Sequence, residues 1–201
     1  MANLSNIVVP SNVLTDTNTQ TVTNKTISFS SNTLTGVAPL ASPTFTGTVT
    51  AANVTTTGTA TFSGSTSAVA SVFTNAAEAC TISATAATGT INYDATTQAV
   101  LYYTTNASAN WTVNIRGNST TSLNTLMATG QALTVVFMVT NGATAYRPTA
   151  LTIDGASVTP KWQGGSAPSS GNTNSVDSYA YTVVKTGNAA FTVFAAQTRF
   201  A

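Results

Sequence analysis

Residues 15–66 are rich in threonine, carry only two charged side chains (Asp16 and Lys25), and repeat one short motif. Thr44, Phe45, Thr46, Gly47 and Thr48 return in the same order of residue types as Thr61, Phe62, Ser63, Gly64 and Ser65. Gly36, Gly47 and Gly58 are evenly spaced. Most residues around both motif copies are threonine, valine or alanine, which favour extended backbone but bury too little area for a core of their own. Such a segment borrows its core, and the simplest source is an identical chain. Three chains wound together would turn Phe45 and Phe62 toward a shared axis. They would also pair the strand edges that an isolated chain leaves open. The alternative is a flexible Thr/Gly linker, against which stands the phenylalanine kept in both copies.

Composition narrows the function classes. Charged residues are 5% of the chain and the net charge is +1, against roughly 25% charged residues in ordinary globular proteins. Nucleic-acid binding needs a basic stripe to displace counterions, and six Lys plus Arg spread over 201 residues do not make one. About a fifth of the residues are threonine, so solubility rests on hydroxyls and amides, as suits an extracellular or particle surface. No stretch reaches the roughly 20 apolar residues that span a bilayer, so no membrane insertion is expected. Met1 to Leu14 has neither the basic region nor the continuous apolar run of a secretory signal; lysis or carriage on a particle is the expected route out of a cell. Cys80, the sole cysteine, reads as a small buried hydrophobe.

Three parts follow in order. Residues 1–14 hold Leu4, Ile7, Val8 and Val9 ahead of Pro10, the pattern of an extended peptide that anchors to a partner or of a loose terminus. Residues 15–74 are the shaft and its junction, where Ala68, Val69, Val72 and Phe73 would line one side of a short helix. Residues 75–201 are richer in large apolar and aromatic side chains, in strand-length runs separated by turn signals. Candidate strands are 80–84, 90–93, 99–104, 111–116, 133–140, 151–153, 156–158, 179–184 and 191–195, with one helical turn over 122–127. Asp154-Gly155 between two of them is the strongest hairpin signal. The fold class is therefore all-β, with the last part a β-sandwich of jelly-roll-like type.

Catalysis is not expected. The chain has no histidine, which removes the usual general base and transition-metal ligand. Of its five acids, Asp16 lies in the thin segment and Asp154 in the hairpin turn, so a carboxylate pair would require Glu78, Asp94 and Asp177 to converge. No short loop gathers the carboxylates of a calcium site, and no cofactor is expected. One polar loop, from Lys161, Trp162 and Gln163 through Asn174 and including Asn172, combines an indole with amides, the usual means of holding a sugar; Tyr146 and Arg147 are expected near it. The plainer reading packs Trp162 on its own sheet. Trp111 alternates with Val113 and Ile115 and reads as core, with Arg116 on the opposite face or at the strand end, in place to pair across an interface.

Leu40 through Gly47, containing ASPTFTG, resembles the repeats of bacteriophage tail-fibre shafts, and residues 59–64 resemble a second copy. Ile91 to Asp94, Leu101 to Thr104, Asn110 to Gly117, Lys161 to Gly165 and Gln197 to Ala201 are similar to a C-terminal domain of structural proteins from marine and cyanobacterial phages. The resemblance implies a homotrimeric virion component assembled in the host cytoplasm. It also implies other virion proteins as partners through the N-terminus, and a head that presents an adhesive surface, with host-surface glycan as its partner. Only two motif copies are present where long fibres have many, which leaves attachment to the capsid or neck, as a decoration protein, as the alternative to the tail.

Overall fold

Ala87 and Thr88 carry the chain from one sheet to the other in two residues, and that corner sets the architecture of the whole sandwich. The computed structural model describes residues 50, 51, 53–56, 60–62 and 71–201. The expected anchor residues Leu4, Ile7, Val8 and Val9, the shaft residue Phe45 and the expected helical residues 68 and 69 lie outside the described residues. Phe62 is without regular structure and 63% exposed in the single chain. The chain divides after Phe62, and all regular structure among the described residues belongs to the second unit. Residues 71–79, including Val72 and Phe73, are exposed and take no helix.

Among the described residues, ten strands and one α-helical turn make up that unit. They are β1 (Cys80–Ala86), β2 (Gly89–Asp94), β3 (Val100–Thr105), β4 (Trp111–Arg116), α1 (Leu123–Leu126), β5 (Ala132–Asn141), β6 (Pro148–Ile153), β7 (Ala156–Val158), β8 (Lys161–Trp162), β9 (Ser175–Gly187) and β10 (Ala190–Phe200). One sheet has the order β1-β3-β5-β9-β10-β8 and the other β2-β4-β6-β7. The all-β expectation holds.

The jelly-roll-like expectation needs correction. A jelly roll is built from antiparallel Greek keys, whereas here β1, β3 and β5 pair parallel in one sheet and β2, β4 and β6 pair parallel in the other. The chain runs as three windings of a flattened coil. One winding carries it from Cys80 to Val100, directly opposite, and likewise from Gly89 to Trp111. The next is longer, with Val100 opposite Val136, because it carries α1 and its loops. Corners stack as the strands do: Ser108 donates to the Ala87 carbonyl (3.2 Å), and Ala95 and Thr96 donate to Arg116 and Gly117 (2.9 and 3.1 Å). Ala87 and Ala107 are buried in these corners, where a larger side chain would force the windings apart. Antiparallel pairing enters only late, through the β6–β7 and β9–β10 hairpins and the β5–β9 pair.

Alternation then buries one face of each strand. Ile91, Tyr93, Trp111, Val113, Ile115, Leu151 and Ile153 from the smaller sheet meet Leu101, Val135, Phe137, Val139, Tyr179, Tyr181 and Val183 from the larger. Trp111 joins the layers, its ring 5.7 Å from Phe137 and 6.2 Å from Tyr179.

The outward faces differ in kind. On the smaller sheet Asn114 donates to the Asn92 side chain and accepts from Thr152 (both 2.8 Å), while Arg116 pairs with Asp94 at 2.6 Å. On the larger sheet the cross-strand rows are Cys80–Val100–Val136–Ala180–Ala196 and Ile82–Tyr102–Met138–Ser178–Thr198. Cys80, expected to be buried, is exposed at the start of edge strand β1, because its side chain takes the outward phase.

Candidate functional site at the Arg147–Trp162 cleft

Strand β8 has only two residues, held parallel to β10 with Phe194 opposite Lys161 and Ala195 opposite Trp162. Alternation sends the two side chains in opposite directions. Lys161 goes outward, its Nζ 6.0 Å from the Phe194 ring centroid. Trp162 goes inward and meets Tyr179 and Tyr181 edge-on at 6.5 and 6.2 Å. Gln163 begins one 3-10 turn and is exposed.

Arg147 comes from the loop between β5 and β6. Its Nε donates to the Ser169 carbonyl (2.9 Å) and its Nη1 to the Pro148 carbonyl (3.2 Å), so the guanidinium ties the polar loop down. Arg147 and Trp162, expected to be neighbours, do converge, with Pro148, Pro160, Ala167 and Tyr181 completing a cleft of about 50 Å³. A single water needs roughly 10–15 Å³ of such volume, so the cleft takes a few waters and is too small to enclose a sugar ring. Trp162 accordingly follows the plainer reading, packing on its own sheet.

Tyr146 and Asn172 belong to a second, buried constellation around Asp177. Asp177 is fully buried on β9. Its Oδ2 accepts from the Asn172 backbone (2.9 Å), Asn141 Nδ2 (3.1 Å) and Gln197 Nε2 (3.1 Å), and its Oδ1 accepts from Asn172 Nδ2 (2.7 Å). Asn141 also clasps the Tyr146 backbone, accepting from its N–H at 3.0 Å and donating to its carbonyl at 3.2 Å. Gly171 closes the arrangement, since a Cβ there would collide with the Tyr146 carbonyl and sit 2.8 Å from Asn141 Nδ2. Gln197 Nε2 also donates to the Tyr179 hydroxyl. Burial pushes the Tyr179 and Tyr181 phenols well above their ordinary value, the Asp177 charge adding to the effect on Tyr179 and Tyr179 itself to that on Tyr181.

The sequence alone did not reveal the roles of Asp177 and Lys185, both buried on β9. Lys185 donates to the carbonyls of Asn124 and Met127, the latter at 2.8 Å, at the end of α1, where a cation complements the orphan carbonyls. The available signal is their phase: 175, 177, 179, 181, 183 and 185 all point inward.

The acids among the described residues do not converge. Glu78 is exposed before β1, Asp94 pairs with Arg116, Asp154 caps α1 and Asp177 lies in its amide cage. Among the described residues no group of three potential metal ligands comes together, and no helix is long and apolar enough to cross a membrane. A comparison with protein-family models, with curated proteins and with solved structures finds no match to this chain.

Proposed function

We propose that the chain is a structural subunit of a bacteriophage fibre, a short homotrimer in which residues 1–14 anchor, 15–74 form an interwound shaft and 75–201 form the head. The observation that carries this reading is the direct joining of a repeat-bearing Thr/Gly segment, rich in β-formers and poor in core residues, to a well-packed β-sandwich. The first part needs partner chains to bury its apolar rows, and the second is a unit that those chains present in several copies. Weak contacts made by several heads at once gain by avidity, which is how such a head would hold a host-surface glycan. Sedimentation velocity of the full chain tests the assembly: a trimer with a frictional ratio well above that of a globular particle is expected, and a compact monomer contradicts it.

A second reading has its own support. The Arg147–Trp162 cleft is small, and its indole is engaged with Tyr179 and Tyr181, which favours a capsid- or neck-attached decoration protein whose polar loop meets virion protein. Adsorption of Trp162→Ala trimers to host cells separates the two. Loss of adsorption supports a receptor site at the loop, and parental adsorption moves the role to assembly.

A further inference from the structure

The two outward faces of the sandwich differ in charge, and the larger one is nearly free of it. Of the charged residues in its strands, Asp177 and Lys185 point inward and are buried, and Arg199 shares their phase. Lys161, at the β8 edge, is therefore the one charge that the described strands place on the outward face. Ile82 and Phe194 stand there 68% and 49% exposed, Ile82 in the row of Tyr102 and Met138 and Phe194 in the row of Thr134 and Thr182. The smaller sheet shows the opposite pattern, its Asn92, Asn114, Thr152 ladder and Asp94–Arg116 pair saturating one another with hydrogen bonds in a form that suits water. Six strands at ~4.8 Å spacing and their lengths give the neutral face roughly 650 Å². Its rows set aliphatic and aromatic side chains among the hydroxyls of Thr134, Ser178, Thr182 and Thr198, and the footprint is close to the ~800 Å² that each partner gives to a stable interface.

On these grounds we infer that the outward face of the six-stranded sheet is the surface through which copies of this chain pack head against head. A second copy is the occupant that the charge pattern fits. Charge depletion over an aliphatic and aromatic surface characterises homo-oligomer cores. A face that is neutral except at one edge can also turn toward a common threefold axis, beside the same face of two other copies, without the like-charge repulsion that excludes wrong pairings. The inference rests on the reading of the chain as a self-assembling fibre subunit and gives that assembly an interface within the head.

Cys80 lies in the Val136 row and reports on coverage. In the full chain, light scattering gives the mass and alkylation by iodoacetamide gives the accessibility of the thiol. An oligomer is expected in which Cys80 reacts about tenfold slower than in the urea-unfolded chain. Val136→Lys would bury an unpaired ammonium at the contact. This should raise the dissociation constant of the heads at least about a hundredfold and restore the fast thiol reaction. Asn92→Lys on the opposite sheet should leave both readouts unchanged, and circular dichroism checks that each variant is folded. An oligomer whose Cys80 reacts at the unfolded rate overturns the interface while leaving the fibre reading intact. Shielding that survives Val136→Lys overturns it as well. A monomer with a fast thiol overturns both, and a monomer with a shielded thiol overturns the interface by assigning the face to the chain's own N-terminal segment.

Discussion

The carboxylate of Asp154 accepts the backbone N–H of Leu123 at 2.7 Å and that of Asn124 at 2.9 Å. A residue in the β6–β7 turn thereby caps a helix that lies two strands earlier in the chain. With φ of 51° at Asp154 and 82° at Gly155, the turn has the left-handed pair that a tight two-residue hairpin requires. Ser122 caps the next free donor, accepting from Thr125 at 3.0 Å. The single turn of α1 is too short to persist alone, so these side chains hold it.

Asp154→Asn keeps the turn preference but sets an amide against donors. It should cost about 1–2 kcal/mol, and Asp154→Ala, with added left-handed strain, about 2–3 kcal/mol. Urea unfolding of the full chain measures both. A cost for Asp154→Ala under about 0.5 kcal/mol, the low end for a lost helix cap, would mean that the cap is not made in solution.

Asp177 presents the same chemistry in a closed setting. Four donors from Asn141, Asn172 and Gln197 converge on one buried carboxylate. Asp177→Asn replaces an acceptor by an amide that faces those donors, and is expected to cost about 2–4 kcal/mol. The loop over 163–174 should then be cleaved faster in limited proteolysis, because Asn172 loses one of its two anchors. Parental cleavage rates would show that the cage does not hold the loop.

Much of this was legible in the sequence, in uneven fashion. Strand positions were, because Trp111, Val113 and Ile115 alternate with polar residues as any half-buried strand does. The α1 turn and the Asp154-Gly155 hairpin were legible from local chemistry. Pairing was not, since alternation looks the same in parallel and antiparallel strands, and the decisive corner, Ala87-Thr88, has as its turn signal only the left-handed Gly89 that follows it. Strand β8 is two residues long and leaves no periodicity to detect. At the site, residue types pointed correctly to Arg147 beside Trp162. The direction of Trp162, set by its register with Ala195, decides between ligand platform and core, and register is a tertiary property.

Alkaline pH should unfold the protein in one step. Burial raises the phenols of Tyr93, Tyr179 and Tyr181 above the ordinary value of 10.0. Above pH ~10 the unfolded chain releases protons that the folded chain retains, so stability falls as pH rises, by roughly 1.4 kcal/mol per pH unit for each such tyrosine. Below that pH these groups are protonated in both states and contribute no dependence. The last three tyrosinates and the loss of tryptophan fluorescence should therefore appear together, and Tyr181→Phe should move the step to higher pH. Formation of more than three tyrosinates per chain with the fold intact would contradict the burial of these rings.

Trp111 carries the one buried side-chain polar atom without a partner among the described residues, its indole Nε1. The ring itself is a principal contact between the sheets, against Phe137 and Tyr179. The two facts predict different outcomes for two substitutions. Trp111→Ala removes the ring and leaves a cavity, with an expected cost of about 3–5 kcal/mol. Trp111→Phe keeps most of the packing and deletes an N–H whose burial without an acceptor costs about 1–3 kcal/mol. Lost volume and relieved desolvation then offset each other, and the net change should lie within about 1 kcal/mol. Thermal unfolding followed by circular dichroism measures both variants without relying on the deleted fluorophore. If Trp111→Phe costs as much as Trp111→Ala, the indole N–H has an acceptor in solution, and its hydrogen bond is part of what joins the two sheets.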